Sequence, residues 1–213
     1  MLRNYRADGA LFYNELALSP VAGPDGTVVH YIAVARDISD RIALEDRLRQ
    51  LASTDPLTGL LNRRRFEALV EREVHRAHRY RRPLVMLSFD LDRFKLVNDR
   101  HGHGCGDRVL VAFARCLVAG LRGEDVCARV GGEEFAALLP ETSIVRGLEV
   151  AERLRQACAA TSVDWEGQAI AVTVSIGATA LVDGDDGYGG LVGRADAALY
   201  ASKRNGRDRV TVA

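Results

Sequence analysis

Gly131-Gly132-Glu133-Glu134-Phe135 sets two adjacent carboxylates beside a glycine pair, between two short runs that read as strands, residues 126–130 and 135–139. A Gly-Gly pair between such runs predicts a β-hairpin, since the tightest turns need positive φ at both central residues. Carboxylates at a hairpin tip, beside glycines that let a ligand approach the backbone, suit a metal-bound phosphate. Taken alone, the pentapeptide reads equally well as a charged surface turn.

A second acidic cluster bears on that choice. Residues 84–89 form an apolar run after Pro83, fit for a buried strand, and lead into Asp90-Leu91-Asp92-Arg93-Phe94-Lys95-Leu96-Val97-Asn98-Asp99. His101-Gly102-His103-Gly104-Cys105-Gly106-Asp107 follows as a glycine-rich loop. Carboxylates at a strand end are held by the sheet while the loop opens onto solvent. A magnesium ion on a nucleotide takes only one or two protein carboxylates, the rest of its octahedron coming from phosphate and water. Asp90 and Glu133 on neighbouring strands would meet that need, and Lys95 is a mobile cation for phosphate charge.

In these residues the chain resembles the GGDEF-domain diguanylate cyclases, in the variant with Glu at the third motif position. The matching segments run in family order: Asp55-Pro56-Leu57-Thr58-Gly59-Leu60-Leu61-Asn62-Arg63, residues 90–107, Ala128-Arg129-Val130 into the glycine pair, Val172-Thr173-Val174-Ser175-Ile176-Gly177, and Ala195-Asp196-Ala197-Ala198-Leu199-Tyr200 with Lys203, Gly206 and Arg207 behind. The resemblance implies an α+β fold: a mixed, mainly antiparallel sheet covered by helices, related to the palm of polymerases and to class III nucleotide cyclases. It also implies that two GTP molecules become cyclic di-GMP and two pyrophosphates on a homodimer, with Mg²⁺ or Mn²⁺ as cofactor.

The resemblance further assigns the site residue by residue. Asp90 and Glu133 hold metal, with the backbone carbonyl of Leu91 as a third ligand. Glu134 completes a second metal site or helps activate the 3′-hydroxyl, although Glu133 is the family's usual proton acceptor. Lys95, Lys203 and Arg207 bind phosphates, the backbone from Leu91 to Phe94 cradles them, and Arg129 organises the site. Asn98 and Asp107 read guanine, His103 lines the same pocket, and Asp92 is structural. Arg122-Gly123-Glu124-Asp125 stands where the family places an inhibitory product site, with Arg153 a second contact; as a bare string, R-x-x-D is common by chance. Ser202 stands where Ala often precedes the lysine, a mild departure. The rivals are a catalytically dead GTP or cyclic di-GMP receptor, which usually lacks a metal carboxylate, and a dimerisation module, which needs no intact pocket.

Composition agrees with a soluble globular protein: 213 residues, 47% hydrophobic and 27% charged, with 29 Lys plus Arg against 29 Asp plus Glu. That balance gives no hint of a nucleic-acid partner. The Arg-rich segment 63–82 is broken by Glu67, Glu71 and Glu73 and reads as the solvated face of a helix. Cys105, Cys116, Cys127 and Cys158 lack C-x-x-C spacing, which argues against zinc. No run approaches the ~20 apolar residues of a membrane span, and the first residues do not open a signal peptide, so a cytoplasmic location is expected.

Three segments are expected. Residues 1–38 read as a three-strand meander resembling the C-terminal half of a PAS sensor domain; without the half that closes the ligand cavity, no sensory binding is expected of it. Residues 39–54 hold a linker helix over 39–53, with Leu44, Leu48 and Leu51 spaced for a parallel pairing of two copies or for packing on the domain itself. Residues 55–213 form the main domain: helix 62–80, strand 84–89, helix 107–119, the hairpin, helix 143–160, strand 170–176 and helix 191–202.

Overall fold

The computed structural model describes all residues except 1, 8, 10, 23, 25 and 42–52. Leu44, Leu48 and Leu51, and with them most of the expected linker helix, lie outside the described residues. The chain divides into two units, residues 1–52 and 53–213.

In the first unit, strands β1 (Leu2–Tyr5), β2 (Leu11–Ala22) and β3 (Val28–Asp37) form an antiparallel sheet in chain order. The register runs from Leu2 opposite Asn14 to Ala22 opposite Val28, with an irregularity between Val21 and Ala22. This is the expected meander. Apolar side chains such as Leu18, Tyr31 and Val34 are exposed along it.

The second unit is built on a six-stranded sheet. Its strands are β4 (Leu61–Asn62), β5 (Leu84–Leu91), β6 (Val126–Arg129), β7 (Glu134–Pro140), β10 (Val174–Ala180) and β11 (Val210–Val212), in the order β11-β10-β5-β7-β6-β4. The four central strands pair antiparallel, and the two edge pairs, β10 with β11 and β4 with β6, are parallel. The helices are α1 (Arg63–Tyr80), α2 (Phe94–His101), α3 (His103–Gly120), α4 (Ile144–Ala160) and α5 (Tyr188–Arg204). A small antiparallel hairpin, β8 (Ser162–Trp165) with β9 (Gln168–Ala171), follows α4.

Side chains alternate across the sheet, so β5, buried along its whole length, feeds two cores. Val85, Leu87, Phe89 and Leu91 pack with Phe113 and Leu117 of α3 and Leu154 of α4. Phe113 meets both Phe89 and Phe135 edge to face, at centroid distances of 5.9 and 4.9 Å. Leu84 and Met86, on the other face, pack with Phe66, Val70 and Val74 of α1 and Leu191 and Ala195 of α5. Each such side chain contributes about 1.5–3 kcal/mol on burial. α5 lies directly on β10: a Cβ at Gly177 would run into the Ala195 carbonyl and the Leu199 amide. That approach seats the helix that carries Lys203.

Helix ends follow sequence signals. Asn62 and Ser143 cap α1 and α4, accepting from the amides of Arg65 and Arg146. Four expectations need correction. The strand expected over 84–89 runs on through Asp90 to Leu91, because both neighbouring strands continue its ladder. The expected loop after it is two helices, α2 and α3, broken only at Gly102, whose φ of 79° ends one and starts the other. The strand expected over 170–176 is two, β9 and β10, belonging to different sheets. Gly131 and Gly132 are absent from the positive-φ glycines, and the ladder closes at Arg129 opposite Phe135 with a wider loop. The pair is therefore no tight two-residue turn. Among the described residues, no helix is long and apolar enough to cross a membrane.

Candidate active site

Asp90 on β5 pairs in register with Glu134 on β7 and Ser175 on β10, so the sheet itself fixes this carboxylate. It is only 7% exposed. Lys203, near the end of α5, reaches it with Nζ 2.6 Å from Oδ2. Glu133 lies on the loop before β7, and its carbonyl accepts from the Leu91 amide at 3.3 Å. Burial pushes the Asp90 carboxyl up, against the pull of Lys203 and Arg207 and with a further push from Asp92. Burial also pushes Glu133 up, followed by the negative charge of Asp90 and then Glu134, with Lys203 opposing. Asp90, Glu133, Glu134, Lys203 and Arg207 therefore form one electrostatic cluster. It is a site where anions crowd and a further cation is welcome.

Arg129, at the end of β6, locks the glutamate loop. Its Nη2 and Nε donate to the Gly132 carbonyl at 2.7 and 3.1 Å, and its Nη1 donates to both Asp55 oxygens at 3.2 and 3.3 Å. Asp55 in turn accepts from the Thr58 amide and hydroxyl at 2.8 and 2.6 Å. Burial would raise the Asp55 acid, but Thr58 and Arg129 outweigh it and hold it below the ordinary value. The sequence alone gives Asp55 no role; its signal is the D-x-x-T spacing, in which the carboxylate accepts from the amide three residues on.

The chain after β5 turns sharply. Arg93, at φ 57°, precedes α2, whose first turn begins with buried Phe94 and exposed Lys95. Helix N-termini such as this one favour anions. Asn98 lies against the next helix so closely that a Cβ at Gly106 would run into its Oδ1. His103 opens α3, and Asp107 lies one turn further on; both are exposed. Asp92 is 7% exposed and accepts from the Thr173 and Ser175 hydroxyls, each at 2.7 Å. That is the structural role expected of it. Ser202 is fully buried and satisfied, donating to the Ile176 carbonyl at 2.8 Å beside Thr211 Oγ1 at 2.7 Å.

The R-x-x-D string is a closed turn: the Arg122 amide donates to Asp125 Oδ2 at 2.9 Å. Burial raises the Asp125 acid, while Arg122 and then Arg153 pull it down. Arg153 donates to the Gly120 carbonyl at 2.7 Å. A groove of about 600 Å³ beside Arg122 is lined by Arg72, Glu73 and Arg76 of α1. These arginines belong to the segment read from sequence as a solvated face; four-residue spacing put both on one side of the helix, but their partner loop was not visible in the pattern. The cysteines are free thiols, and burial pushes Cys127 up to about 11 and Cys158 to about 12, which leaves them unreactive.

The family profile described as "Diguanylate cyclase, GGDEF domain" matches residues 52–209. Diguanylate cyclase DgcP of Pseudomonas aeruginosa is 47% identical over 170 residues, which are 80% of this chain and 25% of that relative. The chain thus spans about a quarter of the curated relative's length. Among solved structures, the GGDEF domain of DgcB from Caulobacter crescentus, in complex with c-di-GMP, is similar with a TM-score of 0.73 and 34% identity over 76% of this chain and 95% of that one. The active GGEEF domain of a diguanylate cyclase from Vibrio cholerae has a TM-score of 0.68 and 37% identity over 72% and 97%.

Proposed function

This chain belongs to the GGDEF-domain diguanylate cyclase family, and from that premise we propose that it condenses two GTP molecules into cyclic di-GMP and two pyrophosphates. The observation that carries the proposal is the cluster of Asp90, Glu133 and Lys203, complete and electrostatically coupled at the end of the central strands. A receptor that had lost catalysis would have no need of it.

A divalent cation fits this donor set. Burial raises both acids and the charge of Asp90 raises Glu133 further, so a positive charge between them is favourable. Among the described residues, no three His, Cys, Asp or Glu side chains converge to form a resident metal cage. That suits Mg²⁺ or Mn²⁺ arriving with a triphosphate, where phosphate and water complete the shell. Asp90, Glu133 and the Leu91 carbonyl would hold it, with Glu134 beside them. When bound, it supplies charge neutralisation at the phosphates.

The remaining work falls to this chain's own residues. Lys203, Arg207 and Lys95 offset phosphate charge, and the first turn of α2 binds phosphate oxygen through its amides. Asn98 and Asp107 select guanine, because a carboxylate accepts from the adjacent N1–H and exocyclic amino group of guanine, a donor pair that adenine does not present; His103 borders them. Arg129 sets the Gly132 carbonyl, and with it Glu133, in place. The 3′-hydroxyl gives its proton to this glutamate pair, of which Glu133 is the family's usual acceptor. Arg122, Asp125 and Arg153 form a separate site at which the product inhibits. As a GTP consumer, the domain works in the cytoplasm.

One domain holds one GTP and the product joins two, so the catalytic unit is a homodimer with two sites facing across a twofold axis. The test is turnover of GTP with Mg²⁺, with chromatography of the product, over nanomolar to micromolar enzyme. Cyclic di-GMP should form, cease with chelator, and rise per enzyme with concentration. Absence of the dinucleotide refutes the reaction; a flat rate per enzyme from a monomer refutes the pairing.

A further inference from the structure

Behind α5 the chain makes an unusual turn. Gly206, Arg207 and Asp208 have φ of 113°, 65° and 45°, three successive residues in the left-handed region. Two of them carry side chains, for which this region is costly, so the surroundings must hold them there. Hydrogen bonds and an ion pair hold them. The Asp208 amide donates to Asp92 Oδ2 at 3.0 Å, and the Arg207 amide donates to the Ser202 carbonyl at 3.0 Å. Asp208 Oδ1 accepts from Arg155 Nη1 at 2.6 Å, and Arg155 is itself gripped by both oxygens of Glu152, at 2.7 and 2.9 Å.

Asp92 is thereby a junction. Its Oδ1 takes the Ser175 hydroxyl of β10, its Oδ2 takes both the Thr173 hydroxyl and the Asp208 amide, and its own amide donates to the Thr173 carbonyl at 2.8 Å. One buried carboxylate thus ties the segment just past Asp90, the start of β10 and the Arg207 turn together. From the other side, Arg155 on α4 pins the same turn through Asp208. Arg207 directly precedes the residue that both anchors grip, and its charge reaches Asp90.

We propose that Asp92 and Arg155 are positioning residues: they impose the left-handed turn at Arg207 and Asp208 and so aim the Arg207 guanidinium at the phosphates. This rests on the GTP-binding reading above. Neither residue touches the substrate. Both act through Asp208, the residue that follows Arg207: Asp92 through its backbone amide and Arg155 through its carboxylate. A purely architectural role for the pair predicts lost stability with unchanged substrate binding. Positioning predicts weakened binding that disappears once Arg207 itself is gone.

The experiment is a double-mutant cycle read by equilibrium binding of a non-hydrolysable GTP analogue with Mg²⁺, which needs no turnover. Asp208→Ala removes an exposed side chain and should fold; Arg155→Ala and its conservative partner Arg155→Lys accompany it. Loss of a phosphate-binding arginine costs roughly ten- to a hundredfold in affinity, and misaiming it should cost a part of that, about fivefold, in Asp208→Ala and in Arg155→Ala. Arg155→Lys should recover most of the loss. In an Arg207→Ala background, the same substitutions should change the affinity by less than about twofold, because coupled residues are not additive. Equal losses in both backgrounds, or none in either, overturn the positioning role. Failure of the parent chain to bind the analogue overturns the GTP reading instead.

Discussion

Replacing Arg129 with alanine should loosen the glutamate loop and weaken the domain together. The guanidinium makes two kinds of contact. Its bond to the Gly132 carbonyl, at 2.7 Å, has the length of a charge-assisted hydrogen bond, whereas those to Asp55, at 3.2 and 3.3 Å, are longer than such bonds usually are. Solvent screening is modest, with side-chain exposures of 16% and 18% for Arg129 and Asp55. One good charged hydrogen bond contributes about 1.5–3 kcal/mol and a stretched pair less, so the truncation should cost about 2–3 kcal/mol. With a urea m-value of roughly 2 kcal/mol/M, the unfolding midpoint should fall by about 1 M. Trp165, the single tryptophan of the chain, lies in this unit and reports its unfolding by fluorescence. Because Glu133 follows Gly132 directly, turnover should fall on the order of a hundredfold, the scale of a displacement of about 1 Å at a reacting group. Arg129→Lys keeps the charge without the fork and should restore less than half of the stability. The Asp55 acid lies below its ordinary 3.8 in the folded chain, so its contribution is present above that pH and is lost as the pH falls through the lowered value. In Arg129→Ala, that acid-side loss should shrink. A variant that unfolds at the parent's urea concentration and turns over within twofold of it would refute the clamp.

Glu133→Gln should abolish cyclic di-GMP formation yet leave the metal-free melting temperature at pH 7 no lower than the parent's. The folded-state acid of Glu133 is raised, so its ionised form opposes folding above that value, and neutralising it removes the opposition; a drop of several degrees would contradict the sign. Asp107→Ala should lower the use of GTP about ten- to a hundredfold, from loss of a charged hydrogen bond to the base, with an unchanged circular-dichroism spectrum. If the parent chain used ATP as readily as GTP, Asp107 would not be the guanine reader. Arg122→Ala should relieve inhibition by added cyclic di-GMP while leaving initial rates unchanged, because two distinct sites are coupled; equal inhibition of parent and variant would make the R-x-x-D turn an ordinary one.

Much of this architecture was legible because it rests on chemistry that sequence displays. Asn62 and Ser143 announced two helix starts, the β5 run announced the central strand, and the order of motifs announced the family. What was missed has a common cause. Apolar pattern registers burial but not the hydrogen-bond ladder, so β5 was ended before Asp90 although both neighbours pair beyond it. Helix α2 buries only Phe94 among its residues and has no side-chain cap, so it left little periodicity to read. The β8–β9 hairpin is mostly exposed or half-buried for the same reason. Gly131 and Gly132 signal a tight turn in the sequence, whereas their backbone lies outside the left-handed region and the wider loop is held by Arg129 from the side. Pairings between distant segments, Arg129 with Asp55 and Asp208 with Arg155, have no local sequence signature.

The arrangement around Lys203 explains why these separate pieces must act together. Its ammonium is bonded to Asp90, yet it is also one of the cations assigned to the phosphates. The two roles compete for one charge. A divalent cation shared by Asp90 and Glu133 would take over the compensation of Asp90 and leave Lys203 to the triphosphate. Cation and nucleotide would then bind better together than apart, since each relieves a cost that the other alone must bear. Arg207 cannot substitute for Lys203 in this exchange, because its turn is pinned by Asp92 and Arg155, whereas Lys203 stands on a long flexible stem. One cation stands on a pinned turn, and the other stands on a long stem that can exchange its carboxylate partner for phosphate. The site therefore needs both the sheet that crowds its carboxylates and the loop that holds its arginine.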